Sequence, residues 1–323
     1  MSASFESPLA SALTAFLAFK HARGYRYQRA AFMLRSFDRF LSSRVRPGRP
    51  GRVDAAMLAW LASRPDRKAI SVSMELSLIR EFWRYLHRQD PRRFTREPRW
   101  PRLPTTPRFV AHVLAPAHVR LLLQLADRLD RPRFRGALYR ALILVLYCTG
   151  LRFGEALRLR RRDVDLPRRV LYVAESKGRS RWVPFHPSLA IEIERYLRAR
   201  RTFVGGAPAP EDRLFVGSDR TRLPVNSASD TLRTLYRRAG LKPLRGRVGP
   251  RPYDLRHTFA VHRLTRWYRE GADLPGRLPW LSAYLGHVDL LGTETYLTAT
   301  PELLTLAGDR FRRRYARRGA RTA

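Results

Sequence analysis

Four short stretches in the second half of the chain place arginine, lysine, histidine and tyrosine side chains in an order that suits phosphodiester chemistry. They are Thr149-Gly150-Leu151-Arg152-Phe153-Gly154-Glu155-Ala156-Leu157; Lys177, followed by Arg179, Arg181, Val183 and Pro184; Pro252-Tyr253-Asp254-Leu255-Arg256-His257-Thr258-Phe259-Ala260; and Leu285-Gly286-His287, with Thr293, Glu294, Thr295 and Tyr296 after it. A guanidinium fork holds two phosphate oxygens at once as negative charge grows on them. An ammonium on a turn can hand a proton to a departing oxygen, and a phenol can attack phosphorus and stay bound to it. Each stretch taken singly also has an ordinary reading. Gly150 opens a helix with Arg152 in solvent, the turn lysine is hydrated, 252–260 is a plain helix start, and a tyrosine on a short helix belongs to a core.

Taken together, in this order and spacing, the four stretches resemble the tyrosine recombinase (phage integrase) family. The resemblance implies that Arg152 and Arg256 are the two catalytic arginines that grip the scissile phosphate. It implies that Lys177, on a β-hairpin turn, is the general acid for the leaving 5′-oxygen, and that His287, nine positions before the tyrosine, steadies the pocket. Tyr296 would then be the nucleophile, trapping the strand as a 3′-phosphotyrosine that can be rejoined without ATP. No cofactor and no metal enter such a scheme, and the carboxylates here are sparse and scattered rather than clustered for two-ion chemistry. One position departs from the pattern: three residues before the second arginine the family usually has histidine, and this chain has Tyr253. A phenol titrates near ~10 and an imidazole near ~6.5, so Tyr253 can share a hydrogen bond but is a poor proton acceptor at neutrality. His257 is a substitute only if it does not simply pack against its helix neighbours. Tyr284 reads as core and Tyr315 as a surface or phosphate-contacting residue of the basic tail.

The elements that must position these residues follow from periodicity. Apolar residues recur at helical spacing from 7 to about 87, as in Leu13, Phe16 and Leu17, then Met33, Phe37, Phe40 and Leu41. Five prolines among arginines between 91 and 107 oppose both helix and sheet. Helices are expected again over 117–130 and 136–149, the second apolar nearly all round. Two β-rich runs, Val170-Leu171-Tyr172-Val173 and Arg181-Trp182-Val183, then flank a lysine-bearing turn. Helical patterns return at 188–201, 227–239, 254–269, 279–285 and 293–298. The expected fold is mainly α with a small antiparallel β-sheet: a helical N-terminal DNA-binding domain over 1–90, a Pro/Arg-rich linker over 91–110 and a catalytic α+β domain over 111–323. By resemblance the two domains would close on a duplex as a clamp.

Composition agrees with a polyanionic partner. The 323 residues hold 64 Lys plus Arg against 27 Asp plus Glu, a net charge of +37 and a pI near 11.6. Part of the arginine excess reflects compositional bias at solvated sites, but self-repulsion on this scale calls for phosphates to neutralise it. Double-stranded DNA is the expected partner, bound by a homo-tetramer on two duplexes as the resemblance implies, with accessory recombinases left open. Arginines interleaved with aromatics, as in His21-Ala22-Arg23-Gly24-Tyr25-Arg26-Tyr27 and Arg80-Glu81-Phe82-Trp83-Arg84-Tyr85, and the loop Lys242-Pro243-Leu244-Arg245-Gly246-Arg247, are further candidate phosphate contacts. No stretch is apolar and long enough to span a bilayer, and residues 1–9 lack a secretory layout, so a cytoplasmic enzyme is expected. Cys148, the only cysteine, reads as buried and inert. The expected activity is site-specific recombination or integration, as on a mobile element or in transposition. The rivals are a catalytically impaired DNA-binding member of the same fold and a type IB-like topoisomerase.

Overall fold

A computed structural model describes residues 5–44, 53–63, 67–94, 98–102, 111–129, 134–176, 179–246, 248–294, 296–297 and 301–319. The chain divides into two compact units, Met1–Phe109 and Val110–Ala323.

The first unit is a bundle of α1 (Ala10–Ala22), α2 (Gln28–Ser42), α3 (Val53–Ala62) and α4 (Ala69–Gln89). Residues spaced three and four apart build its core: Leu13, Phe16 and Leu17 from α1, Leu34, Phe37 and Leu41 from α2, Met57 and Trp60 from α3, and Leu76, Ile79, Phe82 and Trp83 from α4. Phe82, Trp83 and Tyr85 are all buried, so the aromatics of that Arg-rich stretch are core rather than surface. Lys20 is buried too, ion-paired with Glu81 and flanked by the rings of Phe16, Phe19, Tyr25 and Tyr27. Part of the proline-rich stretch also packs here: Phe94 joins the core, and the Trp100 ring meets Trp83 edge-on at 6.5 Å.

The second unit is helical around a small sheet: α5 (Pro116–Asp127), α6 (Phe134–Thr149), α7 (Phe153–Arg158), β1 (Val164–Asp165), β2 (Val170–Ser176), β3 (Arg179–Pro184), α8 (Pro187–Val204), α9 (Val225–Arg238), α10 (Asp254–Arg269), α11 (Leu274–Leu285), α12 (Leu291–Glu294) and α13 (Pro301–Gly319). α6 is its axis, packed on α5, α8 and α10. Leu138, Leu142, Ile143, Val145 and Leu146 are all buried, each contributing on the order of 1.5–3 kcal/mol of transfer free energy. The sheet is antiparallel in the order β1-β2-β3, with Leu171 opposite Val183, Tyr172 opposite Trp182 and Val173 opposite Arg181. A second, smaller core gathers Phe259, Val261, Leu264, Leu281, Leu285, Tyr296 and Leu303 from α10, α11 and the C-terminal segments.

Three local expectations change. The strands run on to Ser176 and Arg179, and β1 is a third strand, too short at two residues to show alternation in sequence. The basic tail is not a loose run: it continues α13, where Leu303 is buried and Arg310 donates to the Ala272 carbonyl at 2.6 Å. Lys242 turns inward and donates to the Val248 carbonyl, and burial beside Arg237 and Arg233 lowers its pKa, so it is not a phosphate contact of its loop. Arg247 of the same loop lies outside the described residues. No helix among the described residues is long and apolar enough to cross a membrane.

Candidate active site

The site forms where α6 ends, α7 and α10 begin and α11 ends. α6 stops at Gly150, whose φ of +62° is a left-handed conformation that a Cβ disfavours. Space excludes a side chain as well: a Cβ there would lie 2.5 Å from Phe259 Cδ1 and 2.8 Å from Leu285 Cδ2. The turn aims the Gly150 carbonyl at Arg256 and sets Arg152 just before α7.

Arg256, in the first turn of α10, is 1 % exposed. Its Nη1 donates to Gly150 O at 2.8 Å, and its Nη2 to Leu285 O at 2.8 Å and His287 Nε2 at 2.9 Å. The guanidinium also hydrogen-bonds the Tyr296 phenol, and of its five N–H groups the buried Nε–H is without a partner. Burial lowers the pKa of this guanidinium, yet an arginine stays charged throughout the physiological range.

A guanidinium only donates, so His287 Nε2 must accept from Arg256. The proton is therefore on Nδ1, from which His287 donates to Thr293 Oγ1 at 2.6 Å, and the ring is neutral. Thr293 is fully buried and holds that tautomer in place.

Arg152 is held by Glu155. The carboxylate accepts from the Arg152 backbone N–H at 2.9 Å and from its Nη1 at 2.7 Å, while Arg152 Nη2 donates to Gly286 O at 2.7 Å. The Glu155 side chain is fully buried and also takes Arg181 Nη2 at 2.8 Å.

Tyr296 follows α12 with its ring 3 % exposed. Its centroid is 6.1 Å from that of His287 and 5.3 Å from that of His257. Burial raises the phenol above its ordinary value, and the Arg256 and Arg152 charges pull it partly back. His257 is sandwiched between Tyr296 and Tyr253, whose ring is 5.0 Å away, and burial pushes its pKa down to about 4. Tyr253 caps α10 and is 37 % exposed. The Tyr284 ring stacks on Phe259, and its hydroxyl donates to Pro184 O at 2.9 Å.

The structure thus brings together Arg152, Arg256, His287, Tyr296 and Tyr253. Lys177, the sixth candidate, lies outside the described residues. Sequence reasoning quoted Glu155, Arg181 and Thr293 without giving them roles. Signals for two of them were present: Glu155 stands three residues after Arg152 at a helix start, where a carboxylate reaches back to cap, and Arg181 occupies an inward position of β3 beside Val183. Among the described residues, no group of three His, Cys, Asp or Glu side chains is placed to hold a metal ion.

Residues 112–302 match the family model described as Phage integrase family. A putative integrase/recombinase, y4rB, of Sinorhizobium fredii is 38 % identical over 265 residues, covering 80 % of this chain and 83 % of its own length. Tyrosine recombinase XerC of Oceanobacillus iheyensis is 30 % identical over 238 residues, 72 % of each chain. Among solved structures, a lambda integrase tetramer bound to a Holliday junction shares the fold with a TM-score of 0.63 at 18 % identity, over 91 % of this chain and 78 % of that one.

Proposed function

Because the chain belongs to the phage integrase family of tyrosine recombinases, we propose that it is a site-specific DNA recombinase or integrase that cuts and rejoins strands through Tyr296. The observation that carries this reading is the convergence of two arginines distant in sequence on neighbouring carbonyls, Leu285 and Gly286, beside a buried tyrosine. Arg256 and Arg152 take the non-bridging oxygens of one phosphate. The Tyr296 oxygen attacks phosphorus, the new P–O bond forms as the P–O5′ bond breaks, and the phenolic proton leaves as a proton reaches O5′. Lys177 delivers that second proton. His287, accepting at Nε2, keeps Arg256 in line. The reverse reaction, with a 5′-hydroxyl of another strand, completes exchange. Four protomers act on two duplexes, as the lambda integrase tetramer on a Holliday junction suggests for this fold. The enzyme works in the cytoplasm with its DNA.

The test uses a nicked suicide duplex carrying a target sequence selected from a random pool by binding. Wild type should leave a covalent protein–DNA band on a denaturing gel, and Tyr296→Phe should not. An equal band from Tyr296→Phe, or none from wild type, overturns the proposal.

A further inference from the structure

We propose that Arg181 is a positioning residue of this site, fixing the carboxylate that orients Arg152 and tying β3 to the end of α11. The inference rests on the cleavage reading above. Three consecutive carbonyls at the C-terminus of α11 each take one guanidinium: Tyr284 O takes Arg181 Nε at 2.8 Å, Leu285 O takes Arg256 Nη2 at 2.8 Å, and Gly286 O takes Arg152 Nη2 at 2.7 Å. These carbonyls are the ones a helix end leaves without partners, at the negative end of its dipole. Arg181 also grips both oxygens of Glu155 with its guanidinium, Nη2 to Oε2 at 2.8 Å and Nη1 to Oε1 at 3.4 Å. Arg152 uses the same two oxygens. Glu155 is thereby clamped from both sides, and its plane, which sets the Arg152 fork, cannot rotate. The fit leaves no slack: a Cβ at Gly286 would stand 2.6 Å from Arg181 Nη1. A residue that only fastened the sheet would need neither the shared carboxylate nor this contact with the Arg152 carbonyl partner.

The experiment measures single-turnover adduct formation at saturating nicked DNA, using a normal scissile phosphodiester and one in which a methylphosphonate replaces it. The methyl group removes the non-bridging charge that Arg152 serves, so a defect transmitted through Arg152 must shrink on that substrate. Arg181→Met is expected to slow the phosphodiester reaction about 10- to 100-fold, the scale of small misplacements in a site, with DNA affinity unchanged and the gap largely closed on the methylphosphonate. Arg181→Lys should recover only part of the rate because an ammonium cannot span both partners. Equal losses on both substrates, a loss confined to affinity, or no loss overturns the proposal alone. An inactive wild type overturns the cleavage reading and this proposal with it. Should Arg181→Met fail to fold, Arg181→Lys carries the same decision.

Discussion

Glu155→Gln is the substitution that asks most of the site. It keeps the shape of the side chain, removes its charge and turns one acceptor oxygen into an amide that faces guanidinium donors. In the structure the fully buried Glu155 side chain accepts from the Arg152 backbone at 2.9 Å, Arg152 Nη1 at 2.7 Å and Arg181 Nη2 at 2.8 Å. Removing one partner of a buried ion pair costs about 3–5 kcal/mol, and the retained amide oxygen favours the lower end, about 3 kcal/mol. For a unit of this size each kcal/mol lowers Tm by about 2–4 °C, so a fall of about 6–12 °C is expected for the unit that holds the site. The same change frees the Arg152 fork, and adduct formation, measured on the nicked duplex at a temperature where the variant is folded, should drop by about 100-fold. The two effects must appear together. A variant that melts within about 2 °C of wild type and reacts within about a factor of two would refute the claim that Glu155 carries the charge balance of the site.

Four further outcomes test the site and its frame. Burial raises the Tyr296 phenol, so it is protonated at neutral pH and less phenolate is present at any given pH; the wild-type cleavage rate should therefore climb about tenfold per pH unit between pH 6 and 8. Tyr253→His supplies an acceptor titrating near ~6.5, which should retain or raise cleavage and flatten the profile above about pH 7, whereas a flat wild-type profile or a dead variant would count against this. Lys177→Ala should slow cleavage of a normal phosphodiester but not of a 5′-bridging phosphorothiolate, whose thiolate leaves without an acid; an equal defect on both removes Lys177 as the general acid. Gly150→Ala combines a left-handed backbone with overpacking against Phe259 and should lower stability by about 2–4 kcal/mol in urea with the m-value unchanged.

Most of the frame was legible because its signals are local. The apolar run of α6, the period of α10 and the alternation of β2 and β3 each reflect burial of one face, and the structure has those elements within a few residues of the expected bounds. The four stretches pointed to Arg152, Arg256, His287 and Tyr296 as candidates because residue type and order suffice to compare a family, and the structure sets these side chains close together. What sequence could not show is who holds whom. Glu155 and Arg181 are 26 positions apart, and Tyr284 lies 103 positions from the Arg181 that donates to it. Such pairings exist only once β3 packs on α11. The loop at 242–247 was expected to meet phosphates as a whole, yet the stem and Nζ of Lys242 turn inward and close the turn that Gly249 permits at φ +92°.

The charge arithmetic at the end of α11 separates an enzyme from a chain that only binds DNA. Arg152, Arg181 and Arg256 meet there, and Glu155 is the one carboxylate that pairs with any of them among the described residues. The nearby Asp254 is engaged by Arg251, at 2.8 Å from its backbone N–H and 3.3 Å from Nη2, and His287 is neutral. Among the described residues, three guanidiniums therefore gather around a carboxylate that pairs with two of them. A binding module gains nothing from desolvating a guanidinium as deeply as Arg256, because exposed arginines neutralise phosphates without the several kcal/mol that burial costs. A ground-state phosphodiester brings one negative charge to this cluster. In the proposed reaction, the five-coordinate phosphorus that attack by Tyr296 would form brings about two, spread over its oxygens. On that reading the guanidiniums meet more negative charge in the transition state than in the bound substrate, the condition under which burial of Arg256 would lower a barrier instead of merely tightening a complex.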